Sequence, residues 1–69
     1  TFEYVLLKGI TDSLENAREL YRLTKDVPCK INIIPFNEHP GSGFDRPEQE
    51  SVARFQAELI RLGAHVLLR

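Results

Sequence analysis

The sequence has few or none of three features that would each place a small protein in a functional class: paired cysteines, long apolar runs and an excess of basic charge. Cys29 is its only cysteine, so no internal disulfide can form, and we expect a reducing, cytoplasmic setting. No run of about 18 apolar residues occurs, and no basic segment followed by an apolar one begins the chain, so neither membrane insertion nor secretion is indicated. Nine basic and ten acidic residues give a formal net charge of −1, which lacks the basic excess of an autonomous nucleic-acid binder.

What is present is a short chain of ordinary globular composition. Its 69 residues are 42% hydrophobic and 28% charged, which suits one folded domain without a disordered or low-complexity tract. A domain of this size buries only about 60% of the surface that its unfolded chain exposes. We therefore expect marginal stability.

Three short apolar runs are typical of buried β-strands. They occupy residues 2–7, 30–36 and 65–68, and they are rich in aliphatic, aromatic and β-branched side chains. A proline near the end of the second run predicts that strand pairing stops there.

Two segments between these runs have the spacing of amphipathic helices. The first is predicted to begin with Asp12 as N-cap and Glu15 three residues later, and to end because of Pro28. The second is predicted to begin with Asp45 as N-cap, Glu48 three residues later and proline in its first turn, and to end at Gly63 in a left-handed cap. The apolar positions repeat every three or four residues on one face of each helix. They are Leu14, Ala17, Leu20 and Tyr21 in the first helix, and Val52, Phe55, Leu59 and Leu62 in the second.

The order β-α-β-α-β predicts an α/β fold with three parallel strands. Right-handed crossovers would place both helices on one face of the sheet and leave the other face bare. In an α/β barrel that face is the packed interior. A chain that starts and stops inside strands looks cut from something larger, so we expect residues 1–69 to be an incomplete part of a barrel domain.

Ligands of parallel α/β proteins bind at the carboxyl ends of the strands, where two loops qualify. The loop of residues 9–13 follows the first strand, and the longer loop of residues 37–44 follows the second. The longer loop is the better candidate because it holds several polar residues and glycines. These are Asn37, Glu38, His39, Gly41, Ser42 and Gly43.

Each notable residue also has an ordinary structural interpretation. Asn37 could hydrogen-bond a purine, although asparagine after a strand often only forms a turn. His39 and His65 have no partners at metal-ligand spacing. Cys29 has no activating base beside it, and we expect a small buried residue. The glycines of residues 41–43 lack both the lysine of a P-loop and the spacing of a dinucleotide-binding motif.

Several segments together resemble a known enzyme family. They are EYVLLKGITDS (residues 3–13), PCKINIIPFN (residues 28–37), PGS (residues 40–42), RP (residues 46–47) and AxFQ (residues 53–56). The succession closely resembles the C-terminal third of the barrel in the RlmN/Cfr family of radical S-adenosylmethionine (SAM) methyltransferases. The match covers essentially the whole chain, and the ten-residue PCKINIIPFN block is its most specific part.

The resemblance implies a barrel enzyme that uses SAM and a [4Fe–4S] cluster to methylate C2 of adenine in 23S ribosomal RNA and in transfer RNA. The family asparagine that follows the PCKINLIPFN-type strand binds SAM, and it maps onto Asn37. Determinants that would separate ribosomal from transfer RNA, or C2 from C8 methylation, lie outside these segments.

Three departures from the family pattern limit what these residues could do alone. The cluster-binding CxxxCxxC is absent, since one cysteine cannot supply three ligands. The family's catalytic cysteine belongs to a downstream GxDxxAACGQL-type segment, so Cys29 is not that residue. Glu38 and His39 also replace the Pro-Phe pair common after the asparagine. The isolated chain is therefore expected to be catalytically inert.

A rival hypothesis is a small non-enzymatic α/β module that associates through its bare sheet face. A reading frame that carries CxxxCxxC upstream and an AACGQL-like segment downstream would support the enzyme. A start codon before Thr1 and a stop codon after Arg69 would support the rival. In either case we expect the isolated chain to self-associate or to be only marginally stable, because its exposed sheet face and strand edges lack neighbours.

Overall fold

A computed structural model describes residues 1–37 and 41–69. The elements are β1 (Phe2–Leu6), α1 (Leu14–Thr24), β2 (Ile31–Pro35), α2 (Gln49–Leu62) and β3 (Val66–Leu68). The strands form a parallel sheet in the order β1-β2-β3. The predicted order and the parallel pairing are confirmed, and each strand is one residue shorter than predicted at one or both ends.

Both helices pack on the same face of the sheet, as predicted. Side chains alternate between the two faces of a strand, so Ile31 and Ile33 of β2 lie on the helix side and are almost fully buried. One core combines them with residues of β1 and of both helices. Its members are Leu6, Ala17, Leu20, Ile31, Ile33, Val52, Phe55 and Leu59.

The N-cap of helix α1 lies one residue later than predicted. Ser13 is the N-cap, and its hydroxyl accepts the N–H of Asn16 at 3.0 Å. The Asn16 side chain accepts the N–H of Ser13 at 3.2 Å, which completes a capping box. Asp12 instead accepts the N–H of Gly9 at 3.0 Å and closes the preceding turn. The predicted Asp12 and Glu15 pairing is therefore wrong, because the Asp12 carboxylate is engaged in that turn.

The end of α1 and one of its face residues also differ from the prediction. The helix ends at Thr24, with Lys25 as C-cap donating its N–H to the Tyr21 carbonyl, so Pro28 is not its direct terminator. Leu14 is exposed because it occupies the first helical position, at the end of the packed face. Ala17 and Leu20 are buried as predicted.

Helix α2 begins at Gln49, so the prediction of Asp45 as its N-cap is wrong. Glu48 is the N-cap and makes no side-chain capping hydrogen bond. Asp45 belongs to the preceding segment, where its carbonyl accepts the N–H of Lys8 at 3.1 Å and ties that segment to the loop after β1. At the other end, Gly63 has φ +106°, so the predicted left-handed cap is confirmed.

Glu58 of α2 joins the two helices through its carboxylate. The residue is only 8% exposed. Oε2 accepts hydrogen bonds from Arg18 Nε of α1 at 2.9 Å and from Arg61 Nη2 at 2.8 Å, and Oε1 accepts from Arg61 Nε at 2.9 Å. These bonds from Arg61 and Arg18 lower the pKa of Glu58 from 4.5 to about 2.

Because the pKa of Glu58 is lower in the folded chain, the free energy of unfolding depends on pH. A carboxylate with a depressed folded-state pKa stabilises the fold above its unfolded pKa, and this contribution is lost as the pH falls through the folded value. We expect Glu58→Gln to be less stable than the parent chain at neutral pH. The difference should shrink between pH 4.5 and about 2. Urea unfolding at several pH values tests this, and a difference that does not change with pH would contradict it.

Candidate ligand site at the carboxyl ends of the strands

The carboxyl ends of the three strands lie along one edge of the sheet. Beyond the strands, the N–H of Phe36 donates to the Leu6 carbonyl at 3.0 Å, and the N–H of Arg69 donates to the Ile33 carbonyl at 3.0 Å. These bonds hold the backbone in place where the strands give way to loops. Asn37 follows Phe36 directly and is exposed at this edge, as the sequence predicts.

The side chain of Asn37 contacts an arginine from the segment before α2. Nη1 of Arg46 donates a hydrogen bond to Oδ1 of Asn37, with 3.2 Å between the two atoms. Both side chains are exposed, so a ligand at this edge could reach them. The sequence placed Asn37 in a loop but gave no indication of this contact.

The shorter loop, after β1, uses most of its polar groups internally. The Thr11 hydroxyl donates to the Val5 carbonyl at 2.8 Å and accepts the N–H of Leu7 at 2.8 Å. Together with the turn that Asp12 closes on Gly9, these bonds occupy the groups that a ligand would need. The shorter loop is therefore the poorer candidate, and the longer loop stays the predicted site.

Within the longer loop, residues 41–44 make local contacts. The Phe44 ring packs edge-on against the Phe36 ring, with 6.0 Å between their centroids. The Ser42 hydroxyl hydrogen-bonds the backbone of Phe44. Gly41 has φ +81° and Gly43 has φ +76°, a conformation that favours glycine. The candidates Glu38 and His39, with Pro40, lie outside the described residues.

The sheet face opposite the helices carries an ion pair and a buried amide that the sequence analysis missed. Arg69 Nη1 lies 2.9 Å from Glu3 Oε2, so this pair reaches across β2 from β1 to the residue that follows β3. Asn32 of β2 pairs in register with Glu3 and Leu67 on this face. Its Oδ1 is buried and has no hydrogen-bond partner within the described residues. The only sequence signal was a polar residue inside an otherwise apolar strand.

Cys29 and His65 lie at the opposite edge, near the amino ends of the strands. They line a pocket of about 150 Å³ beside the end of α1. Cys29 is half-buried, so the prediction of a buried residue is wrong, because the residue precedes β2 and borders this pocket. Neither residue belongs to the candidate site.

Two further structural findings concern metals and membranes. Within residues 1–37 and 41–69, no group of three or more histidine, cysteine, aspartate or glutamate side chains is arranged to hold a metal ion. The helices in the same part of the chain are too short or too polar to cross a membrane.

Comparison with known proteins relates this arrangement to one group of enzymes. The chain is 72% identical over all 69 residues to the dual-specificity RNA methyltransferase RlmN of Bdellovibrio bacteriovorus, and 48% identical to that of Pseudomonas fluorescens. It superimposes with a TM-score of 0.93 on a radical SAM methyltransferase from Sphaerobacter thermophilus. The match covers 99% of the present chain, with 43% sequence identity. No family model matches.

The chain is similar to one segment of these longer enzymes. It spans 17–18% of the length of the two RlmN relatives and 20% of the solved methyltransferase. The α/β arrangement of three parallel strands and two helices reproduces that region of the solved enzyme. The predicted resemblance and fold class are therefore confirmed.

Proposed function

We propose that this chain is part of the barrel domain of a radical SAM methyltransferase that methylates C2 of adenine in 23S ribosomal RNA and in transfer RNA. Within that enzyme, the chain would contribute Asn37 to the SAM site. The observation that carries the proposal is the 72% identity to an RlmN protein over every residue of the chain. The complete protein is proposed to act in the cytoplasm.

The surroundings of Asn37 fit the adenosine part of SAM. An amide offers both a donor and an acceptor, which suits the polar edge of a purine. Asn37 is exposed at the carboxyl edge of a parallel sheet, where α/β proteins bind ligands. When bound, SAM would supply the methyl group.

The residues of this chain do not fit a [4Fe–4S] cluster. Such a cluster needs several thiolate ligands, and the sequence has one cysteine. Cys29 also lies at the edge opposite Asn37, in the pocket that His65 lines. We propose that the cluster ligands and the catalytic cysteine belong to other parts of the full-length protein.

The rival hypothesis of a non-enzymatic interaction module receives less support. A free-standing module would not need the residue-by-residue similarity to RlmN that extends through both helices and all three strands. An exposed sheet face is also expected of any segment that normally packs inside a larger barrel.

The proposal predicts that the isolated chain is inert and that the full-length protein is active. After anaerobic reconstitution with iron and sulfide, the full-length protein should show cluster absorption and transfer methyl groups from SAM to adenine in RNA. The 69-residue chain under the same conditions should do neither, because it lacks cluster ligands. A stoichiometric cluster on the isolated chain, or an inactive reconstituted full-length protein, would contradict the proposal.

We also propose that the isolated chain associates with itself through the exposed sheet face. Val5 and Leu67 present apolar side chains there, and Leu67 is 52% exposed on an outer strand. Leu67→Lys should shift the chain toward monomer in sedimentation velocity, because association through this face would bury the charged lysine. Ile60→Lys is the matched control, since Ile60 is 55% exposed on α2. A parent chain that is strictly monomeric would refute the proposal.

A further inference from the structure

Arg46 contacts Asn37, the residue that is proposed to bind SAM. It lies nine residues beyond Asn37, in the segment that leads into α2, and its Nη1 is 3.2 Å from Asn37 Oδ1. The distance and the donor and acceptor types are those of an N–H···O hydrogen bond. The contact links the end of β2 to the approach to α2.

The chemistry of the two groups determines how the amide is turned. A guanidinium has only donors, whereas an amide has an oxygen that accepts and a nitrogen that donates. If the Asn37 amide were rotated by half a turn, two donors would face each other. The bond from Arg46 therefore keeps Oδ1 directed toward Arg46. It leaves Nδ2, with its two hydrogens, directed away from Arg46.

The backbone on both sides of Arg46 is held in place. The carbonyl of Asp45, the preceding residue, accepts the N–H of Lys8 at 3.1 Å. Pro47, the following residue, is buried and has a restricted φ. The guanidinium is thus presented to Asn37 from an anchored segment, and an anchored donor loses less entropy on forming its bond.

We infer that Arg46 is a positioning residue for SAM binding, which orients the Asn37 amide so that Nδ2 donates to an acceptor atom of the ligand. The inference rests on the proposed role of Asn37 in binding SAM. It adds two points to that role. The Asn37 amide acts as a hydrogen-bond donor to SAM, and the affinity for SAM also depends on Arg46.

A double-mutant cycle in the full-length protein tests the inference, with the dissociation constant of SAM measured by calorimetry. Arg46→Ala should weaken SAM binding about threefold to tenfold, the effect of losing one hydrogen bond that orders a ligand group. In an Asn37→Ala background the same substitution should have almost no further effect, because the group that it positions is gone. Circular dichroism should show every variant to be folded.

Two conservative variants separate a positioning role from a general structural one. Arg46→Lys keeps a donor and should retain most of the affinity for SAM. Asn37→Asp keeps an acceptor for Arg46 but has no N–H to donate, so it should bind SAM as weakly as Asn37→Ala. Arg54→Ala removes an exposed arginine of α2 and should leave the affinity unchanged.

The outcomes distinguish the inference from the proposed function. Unaltered SAM affinity in folded Asn37→Ala would overturn the proposed role of Asn37. A weakened Asn37→Ala with an unaffected Arg46→Ala, or an Arg46→Ala effect that persists fully without Asn37, would overturn the positioning role alone. Parent-like binding by Asn37→Asp would overturn the assignment of the amide as donor.

Discussion

Replacing Phe55 with alanine is expected to destabilise the chain by about 3–5 kcal/mol, the cost of removing a large aromatic side chain from a packed core. The Phe55 side chain is fully buried between the helices and the sheet. Its ring stacks on that of Tyr4 in β1, with 5.5 Å between the centroids and an interplanar angle of 22°. Alanine would remove this contact and leave a cavity at the centre of the fold.

The loss is large compared with the total stability of so short a chain. At the usual 0.05–0.15 kcal/mol per residue, 69 residues give a free energy of unfolding of about 3–10 kcal/mol. Urea unfolding followed by circular dichroism should show a much lower midpoint for Phe55→Ala, or no folded baseline. Ile60→Ala, at an exposed position of the same helix, should change the free energy of unfolding by about 0.5 kcal/mol or less. Equal midpoints for Phe55→Ala and the parent chain would show that the core does not depend on this ring.

Replacing Asn37 with alanine in the full-length protein is expected to weaken SAM binding by about 1–3 kcal/mol, roughly fivefold to a hundredfold. The amide would be removed, and the ligand atom that it satisfies would lose its hydrogen-bond partner. The fold should be unaffected, because the Asn37 side chain is exposed and does not belong to the hydrophobic core.

The Asn37 prediction is measured by titrating SAM into the variant, with circular dichroism as the folding control. His39→Ala, a change in the same loop, should leave the affinity nearly unaltered. The assignment fails if Asn37→Ala is folded and binds SAM as tightly as the parent protein. A comparable loss in His39→Ala would instead mean that the loop acts as a whole.

Much of the fold was predictable because its signals are local. The apolar runs and helical spacing predicted five elements in the correct order, and the alternation of strands and helices predicted the parallel sheet with both helices on one face. Gly63 marked the end of α2 because few other residues adopt a positive φ easily. These features depend on residues close together in the chain.

The starts of the helices were not predictable to the residue, because several nearby side chains compete for the same capping role. Asp12 and Ser13 are both good caps, and the turn on Gly9 engages Asp12 and leaves Ser13 to cap α1. At α2 the N-cap is Glu48, three residues after Asp45, and it makes no side-chain capping bond; Asp45 is tied to Lys8 through its backbone carbonyl. The choice depends on how the loops pack against each other.

The candidate site was also predictable from the sequence only in part. The sequence by itself determined that Asn37 follows a buried parallel strand, because hydrophobic runs and turn residues mark where a strand ends. Only the tertiary structure decided that Arg46 lies against its amide and that Glu58 pairs with Arg18, 40 positions away. Such contacts depend on the angles and distances at which separate elements pack, and these follow from the whole core and from no single segment of the chain.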